Sequence, residues 1–265
     1  MKNKRNLTSR EQYLKTIRKK NAVILIFQIA ILAGFLILWQ ILADAGVLNA
    51  FVFSSPKRIV STLGTLFAGG ELWHHIFITF YEALVAFLIS TAIGFAVAVI
   101  LWWNETLHKI FEPYLIILNS LPKIALGPII IIWFGAGTKA IVVMAILIMV
   151  IITAISLLNA FVGCDRDKIL LMNSMGANKL QILTKLVIPN AMGEFVSVLK
   201  INVGMTWVGT IMGEYLVSKA GLGYLIVYGS QVFKLDIVMT SILVLCVLAG
   251  LMYLSVCLLE KLLKK

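Results

Sequence analysis

Six apolar runs, each long enough to cross a bilayer, recur along this chain between short polar stretches. A spanning helix needs about 20 apolar residues. Lipid offers no partner to a bare backbone amide, so a run of this kind folds as a helix and not as an open strand. The runs lie at about Ala22–Leu42, Ile76–Trp103, Pro113–Phe134, Ala140–Phe161, Phe195–Val217 and Ile237–Leu259. They predict an all-α membrane protein with six transmembrane helices. Composition agrees: 61% of the 265 residues are hydrophobic and 13% charged, against about 45–50% and about 25% in a soluble domain. The first run exceeds the roughly 7–15 apolar residues of a signal peptide. It is read as a retained span, although Ala43-Asp44-Ala45 looks like a cleavage site.

The net charge of +11 does not make this a nucleic-acid binder, because the basic residues flank the apolar runs. With the N-terminus inside, the inner side holds the eight Lys and Arg of Met1–Lys20, with Lys109, Arg166, Lys168, Lys179, Lys185, Lys261, Lys264 and Lys265. The outer side holds only Lys57, Arg58, Lys139, Lys219 and Lys234. The positive-inside rule then places both termini in the cytoplasm. Residues 1–21 read as a basic cytoplasmic tail and 22–265 as a single transmembrane domain, with a cytoplasmic loop at about 163–194. Cys164, Cys246 and Cys257 show neither metal spacing nor a disulfide framework.

The third run is irregular. It carries Asn119, Pro122, Lys123 and Pro128, and broken backbone is tolerated in a bilayer only inside protein or beside a wet path. Ionisable residues within runs are costly and face a bundle interior or a pathway. Lys123 and Glu214 are therefore candidates for a translocation path, an intersubunit contact or a structural ion pair. Glu82 and Lys200, near run ends, are expected to snorkel to an interface. Gly135-Ala136-Gly137 and Gly221-Leu222-Gly223 read as turns, the second within an outer loop. His74-His75 read as solvated. No G-x4-G-K-[ST] loop, metal spacing or Ser/His/Asp array is present in the sequence, so no catalytic, cofactor or metal residue is assigned.

The 163–194 loop reads as two short helices. Asp165 or Asp167 caps the first, Ile169, Met172 and Met175 form its apolar stripe with Leu171 alongside, and Gly176 suits its C-cap. Asn178 caps the second, Leu180, Leu183 and Val187 recur at helical spacing, and Pro189 is expected to end it. This hairpin either lies on the membrane surface or docks a partner.

Gly176 and Pro189 stand thirteen residues apart, with Leu186 and Ile188 before the proline. This resembles the cytoplasmic loop of ABC-importer permeases, whose pattern is EAA, three residues, Gly, nine residues and I-x-L-P. Here the EAA triplet is replaced by Leu170-Leu171-Met172. Leu121-Pro122-Lys123-Ile124-Ala125-Leu126-Gly127-Pro128, followed by Trp133-Phe134-Gly135-Ala136-Gly137, is similar to the signature of the sulfonate, taurine and nitrate branch. Ser55-Pro56, and Glu214 with Gly221-Leu222-Gly223-Tyr224-Leu225, are similar to further segments of that branch.

The resemblance implies a type I ABC importer permease fold and the permease subunit of an ATP-driven importer, in a bacterial inner or plasma membrane. It implies that Ile169, Met172, Met175, Gly176, Ala177 and Pro189 couple to the ATPase, while the broken span and the charges within runs suggest Asn119, Pro122, Lys123 and Glu214 as residues bordering the path. ATP would be bound and hydrolysed by two separate cytoplasmic ATPase subunits. An extracytoplasmic solute-binding protein and a second permease copy, as a homodimer, would complete the assembly. The solute would be a sulfonate, taurine, nitrate or a pyrimidine-type compound. The other reading is an ion-coupled secondary carrier or channel with Lys123 and Glu214 as coupling charges, though the hydropathy shows no inverted repeat. A membrane scaffold is a third.

Overall fold

The structure is a computed structural model and describes residues 9–263. The chain divides into two compact units near residue 63. The first contains α1 (Ser9–Asp44), α2 (Ala50–Phe53) and the start of α3 (Pro56–Ala68). The first eight residues of the expected tail, and Lys264 and Lys265, lie outside the described residues. From Ser9 the tail is already helical and joins the first span unbroken, because Leu, Lys, Arg and Gln favour helix and propagation from a long helix needs no new nucleus. Within this unit Gln40 Oε1 accepts the Lys57 amide at 3.0 Å.

The second unit runs α4 (Glu71–Trp103), α5 (Glu105–Ser120), a 3₁₀ turn (Lys123–Leu126) and α6 (Gly127–Phe134). Then come α7 (Thr138–Val162), α8 (Arg166–Ser174), α9 (Lys179–Ile182), a π turn (Leu183–Val187), α10 (Ile188–Val217), α11 (Leu222–Gln231) and α12 (Leu235–Leu263). Five stretches are single helices long and apolar enough to cross a bilayer, and the bent α5–α6 pair makes a sixth.

Helices α4, α7 and α10 pack closely through small residues. A Cβ added at Gly209 of α10 would lie 2.7 Å from the Ala145 Cα of α7, and one at Gly94 of α4 would lie 2.6 Å from the Thr153 Cβ. Helices in lipid gain little from apolar burial, so close backbone approach and interhelical hydrogen bonds hold them. Asn202 of α10 supplies one such bond, its amide donating to the Thr153 hydroxyl at 2.8 Å.

The irregular third run breaks as expected. Leu121, which precedes a proline, is extended (φ −65°, ψ 139°), the conformation that Pro122 imposes on it. The two sides of the break meet at 84°. Pro128 sits in the first turn of α6, where its missing N–H costs nothing. Gly135 (φ 79°) and Gly137 (φ 144°) turn the chain into α7.

Four local expectations need correction. Pro189 does not end a helix: Lys179–Val217 is one continuous stretch. The turn before the proline is widened to π, with the Ile188 amide reaching Leu183 O, which makes room for a residue that lacks an N–H and crowds the carbonyl four places back. The expected outer loop contains α11, a ten-residue helix. Glu82 does not snorkel; α4 begins at Glu71, earlier than the apolar run suggested, so Glu82 is three turns inside and 1% exposed. Lys200 instead pairs with Glu260 of α12 at 2.6 Å.

Candidate functional site

The 163–194 segment is built by local capping. The Asp165 carboxylate accepts the Asp167 amide at 3.0 Å and starts α8. Gly176 adopts φ 79° at its end, with the Ala177 amide donating to Met172 O at 3.0 Å. Asn178 and Gln181 then exchange side-chain-to-amide bonds, both 2.8 Å, in a capping box that opens α9.

The expected stripe of this hairpin splits between two faces. Ile169, Met172 and Ala177 turn inward onto a cluster formed by Ala98 and Leu101 of α4, Leu157, Leu158 and Phe161 of α7, and Ile182 and Leu183. Leu170 (62% exposed), Leu171 (61%) and Met175 (78%) turn outward. Met175 parts from Met172 because α8 stops at Ser174, leaving Met175 in the cap (φ −82°, ψ 4°) where helical spacing no longer sets its direction. Pro189 is exposed on the continuous helix.

The four residues expected along a path also separate. Lys123 and Asn119 come together across the α5–α6 break, the ammonium donating to Asn119 O at 2.9 Å and to Oδ1 at 3.4 Å, with Pro122 exposed between them. Glu214 lies elsewhere, 1% exposed inside the bundle. It accepts the Thr79 hydroxyl at 2.6 Å and the Gly223 amide at 2.5 Å, and its carboxyl meets that of Glu82. No ion pair joins Glu214 to Lys123; the ammonium is spent on Asn119.

Around Glu214 three successive amides are each met by a side chain. Gly221 donates to His75 Nδ1 at 2.9 Å, Leu222 to Thr79 Oγ1 at 2.8 Å and Gly223 to Glu214 Oε2. These are the orphan donors that open α11. His75, expected to be solvated, is drawn in by this bond and stacks on Tyr224 at 6.0 Å. Its spacing with Thr79 and Glu82 places all three on one face of α4, a pattern that sequence reading missed by treating each polar residue alone.

A second set of residues was missed. Ser156 and Asn159 of α7 and Asn190 and Glu194 of α10 line an open polar cavity of about 560 Å³. Asn190, Glu194, Ser197 and Gly204 are all exposed, and their spacing gives α10 a largely polar, small-residue stripe interrupted by the exposed Ile201. Ending the helix at Pro189 and restarting it at Phe195 hid Asn190 and Glu194 from view.

A bundle of spanning helices with a broken span, a polar stripe and an apolar-faced turn outside the spans defines an integral membrane protein of the transport class. Residues 90–265 match the family described as the binding-protein-dependent transport system inner membrane component, and the chain belongs to that family; it is an ABC importer permease, an integral membrane transport component. It is 27% identical over 222 residues to a probable ABC transporter permease protein of Haemophilus influenzae, covering 83% of this chain and 89% of that one. It is 26% identical to the Escherichia coli protein SsuC, named for aliphatic sulfonate transport, over 86% of this chain and 87% of SsuC. Among solved structures, an inward-facing MetNI methionine ABC transporter superposes with TM-score 0.64 at 20% identity, over 75% of this chain and 98% of that one. The fold is therefore the type I importer permease fold.

Proposed function

We propose that two copies of this chain form the translocation path of an importer. Separate ATPase subunits bind and hydrolyse ATP, docked on the 163–194 turn in the cytoplasm, and a solute-binding protein delivers solute at the opposite face. The observation that carries this reading is the outward display of Leu170, Leu171 and Met175 on a turn outside the spans. Contiguous apolar side chains exposed to water mark an interaction surface, and the inward packing of Ile169 and Met172 leaves this face free for a partner. The basic residues concentrated on the same side support cytoplasmic orientation of the turn and of both termini.

The break at Asn119–Lys123 and the polar stripe of α10 border the path in this reading. The solute is a small organic anion of the sulfonate type. An E. coli relative that is 24% identical is the taurine transport system permease TauC, and the Lys123 ammonium offers positive charge at the break. A pyrimidine is the competing solute, since another relative is a formylaminopyrimidine transport permease of Halalkalibacterium halodurans.

Tagged permease should co-purify the ATPase subunit, and Leu171→Asp with Met175→Asp should abolish this while the permease still inserts. Burying each side chain is worth roughly 1.5–3 kcal/mol, so the pair should weaken docking roughly a hundredfold or more. Undiminished co-purification would return the hairpin to a membrane-surface role. Uptake of labelled taurine competed by alkanesulfonates and not by formylaminopyrimidine would support the solute class, and the reverse would overturn it.

A further inference from the structure

Lys179, the first residue of α9, reaches away from its own helix. Its ammonium donates to the carbonyl of Trp103 at 2.5 Å and lies 5.6 Å from the Trp103 ring centroid and 6.0 Å from that of Trp102. Trp103 is the last residue of α4. The next residue, Asn104, is extended and spends its side chain on the amides of Thr106 and Leu107, capping α5. The final carbonyls of α4 thus lack a following turn, and they sit at the negative end of the helix dipole. A cation satisfies both needs there, and the two indole faces hold it further.

This contact adds a polar link between the docking turn and the last residue of α4, beside the apolar packing of Leu101 and Trp102. Inward packing of Ile169, Met172, Ile182 and Leu183 attaches the hairpin sideways onto the bundle. The lysine adds a fixed polar anchor at the helix terminus, and the Asn178–Gln181 capping box holds the backbone from which it springs. At its other end α4 is clamped to α10 and α11 through Thr79.

We propose that Lys179 is the positioning residue that locks the docking turn to α4, so that turn and α4–α7–α10 core move as one body when the ATPase subunits close. The inference rests on the docking reading for its motion, but the lock itself is a property of this chain.

Spin labels at Ile100→Cys on α4 and Asn173→Cys on α8, both exposed positions, report the lock directly once Cys164, Cys246 and Cys257 are replaced by alanine. With Lys179 present, a single narrow distance distribution is expected, the same in nucleotide-free and ATP–vanadate-trapped complexes. Lys179→Met should broaden it without nucleotide and shift it on trapping, and Lys179→Arg, which keeps the charge and the ring contact, should restore it. A Lys179→Met distribution indistinguishable from that of the unsubstituted protein in the nucleotide-free state would overturn the proposal, as would a distance that changes on trapping while Lys179 is intact. Failure of the unsubstituted permease to retain the ATPase would refute the docking reading instead. The nucleotide-free comparison in the permease alone would still decide the role of Lys179.

Discussion

Thr79 of α4 and Glu214 of α10 meet at 2.6 Å in the buried interior, and the same Thr79 oxygen accepts the Leu222 amide at 2.8 Å. One hydroxyl thereby joins three helices. Thr79→Val keeps the shape but strands a buried carboxyl oxygen and a buried amide. Each unsatisfied group costs about 1–3 kcal/mol, so the variant should lose about 2–6 kcal/mol and melt clearly lower in detergent. Thr79→Ser, which retains the hydroxyl, should stay near the parent. Equal melting temperatures for Val and Ser would show that the hydroxyl adds nothing.

Glycine contacts predict a graded result across the bundle. Gly209→Ala places a methyl 2.7 Å from the backbone of Ala145, whereas nothing lies within 4 Å of a Cβ at Gly250. Backbone cannot yield as a flexible side chain can, so Gly209→Ala should cost about 1–3 kcal/mol. Gly250→Ala should be neutral or slightly stabilising, because alanine favours helix over glycine by about 1 kcal/mol. Thermal melts of the two variants side by side check the contrast.

Long apolar runs and proline positions are what made the architecture legible. The runs announced the spans, and Pro122 with Pro128 announced the broken one. What escaped was the meaning of polar residues whose partners are distant in sequence. Nothing near Glu214 points to Thr79, and Lys200 reveals Glu260 only once α10 and α12 lie side by side. Pro189 misled for a different reason. Proline usually stops a helix, yet a π turn ahead of it let α10 continue, and that error concealed Asn190 and Glu194. The docking turn was readable as a hairpin, but Met172 and Met175 were assigned one face because helical spacing was carried past the end of α8.

Orientation is tested by labelling. In a functional background free of native cysteines, Lys57→Cys and Lys219→Cys should react with an impermeant thiol reagent added outside intact cells. Asn178→Cys, exposed on the docking turn, should react only after the membrane is opened. Labelling of Asn178→Cys from outside would invert the topology that the charge asymmetry supports.

Lys123→Met should impair uptake while leaving the amount of protein in the membrane unchanged. Among the described residues the ammonium bonds only to Asn119, across the break of its own bent span, so its loss breaks no link to another span. Uptake measured over a range of solute concentrations should fall, with the loss greatest at low concentration if the charge attracts an anionic solute. Unchanged uptake at every concentration would remove Lys123 from the path.

Gly176 separates backbone conformation from crowding at the docking turn. Its φ of 79° is strained for most residues, yet no atom lies within 4 Å of a Cβ built there, so any penalty on substitution comes from the backbone alone. Left-handed geometry costs an ordinary residue roughly 1–2 kcal/mol, asparagine tolerates it, and a β-branched residue fares worst. Gly176→Asn should therefore bind the ATPase subunit nearly as the parent does. Gly176→Val should pull the turn toward another conformation, redirecting Met175, Leu171 and Leu170 together, and weaken ATPase binding about tenfold or more. Titrating the ATPase subunit onto immobilised permease measures both. A valine variant that binds like the asparagine variant would show that the docking face does not depend on the left-handed turn at Gly176.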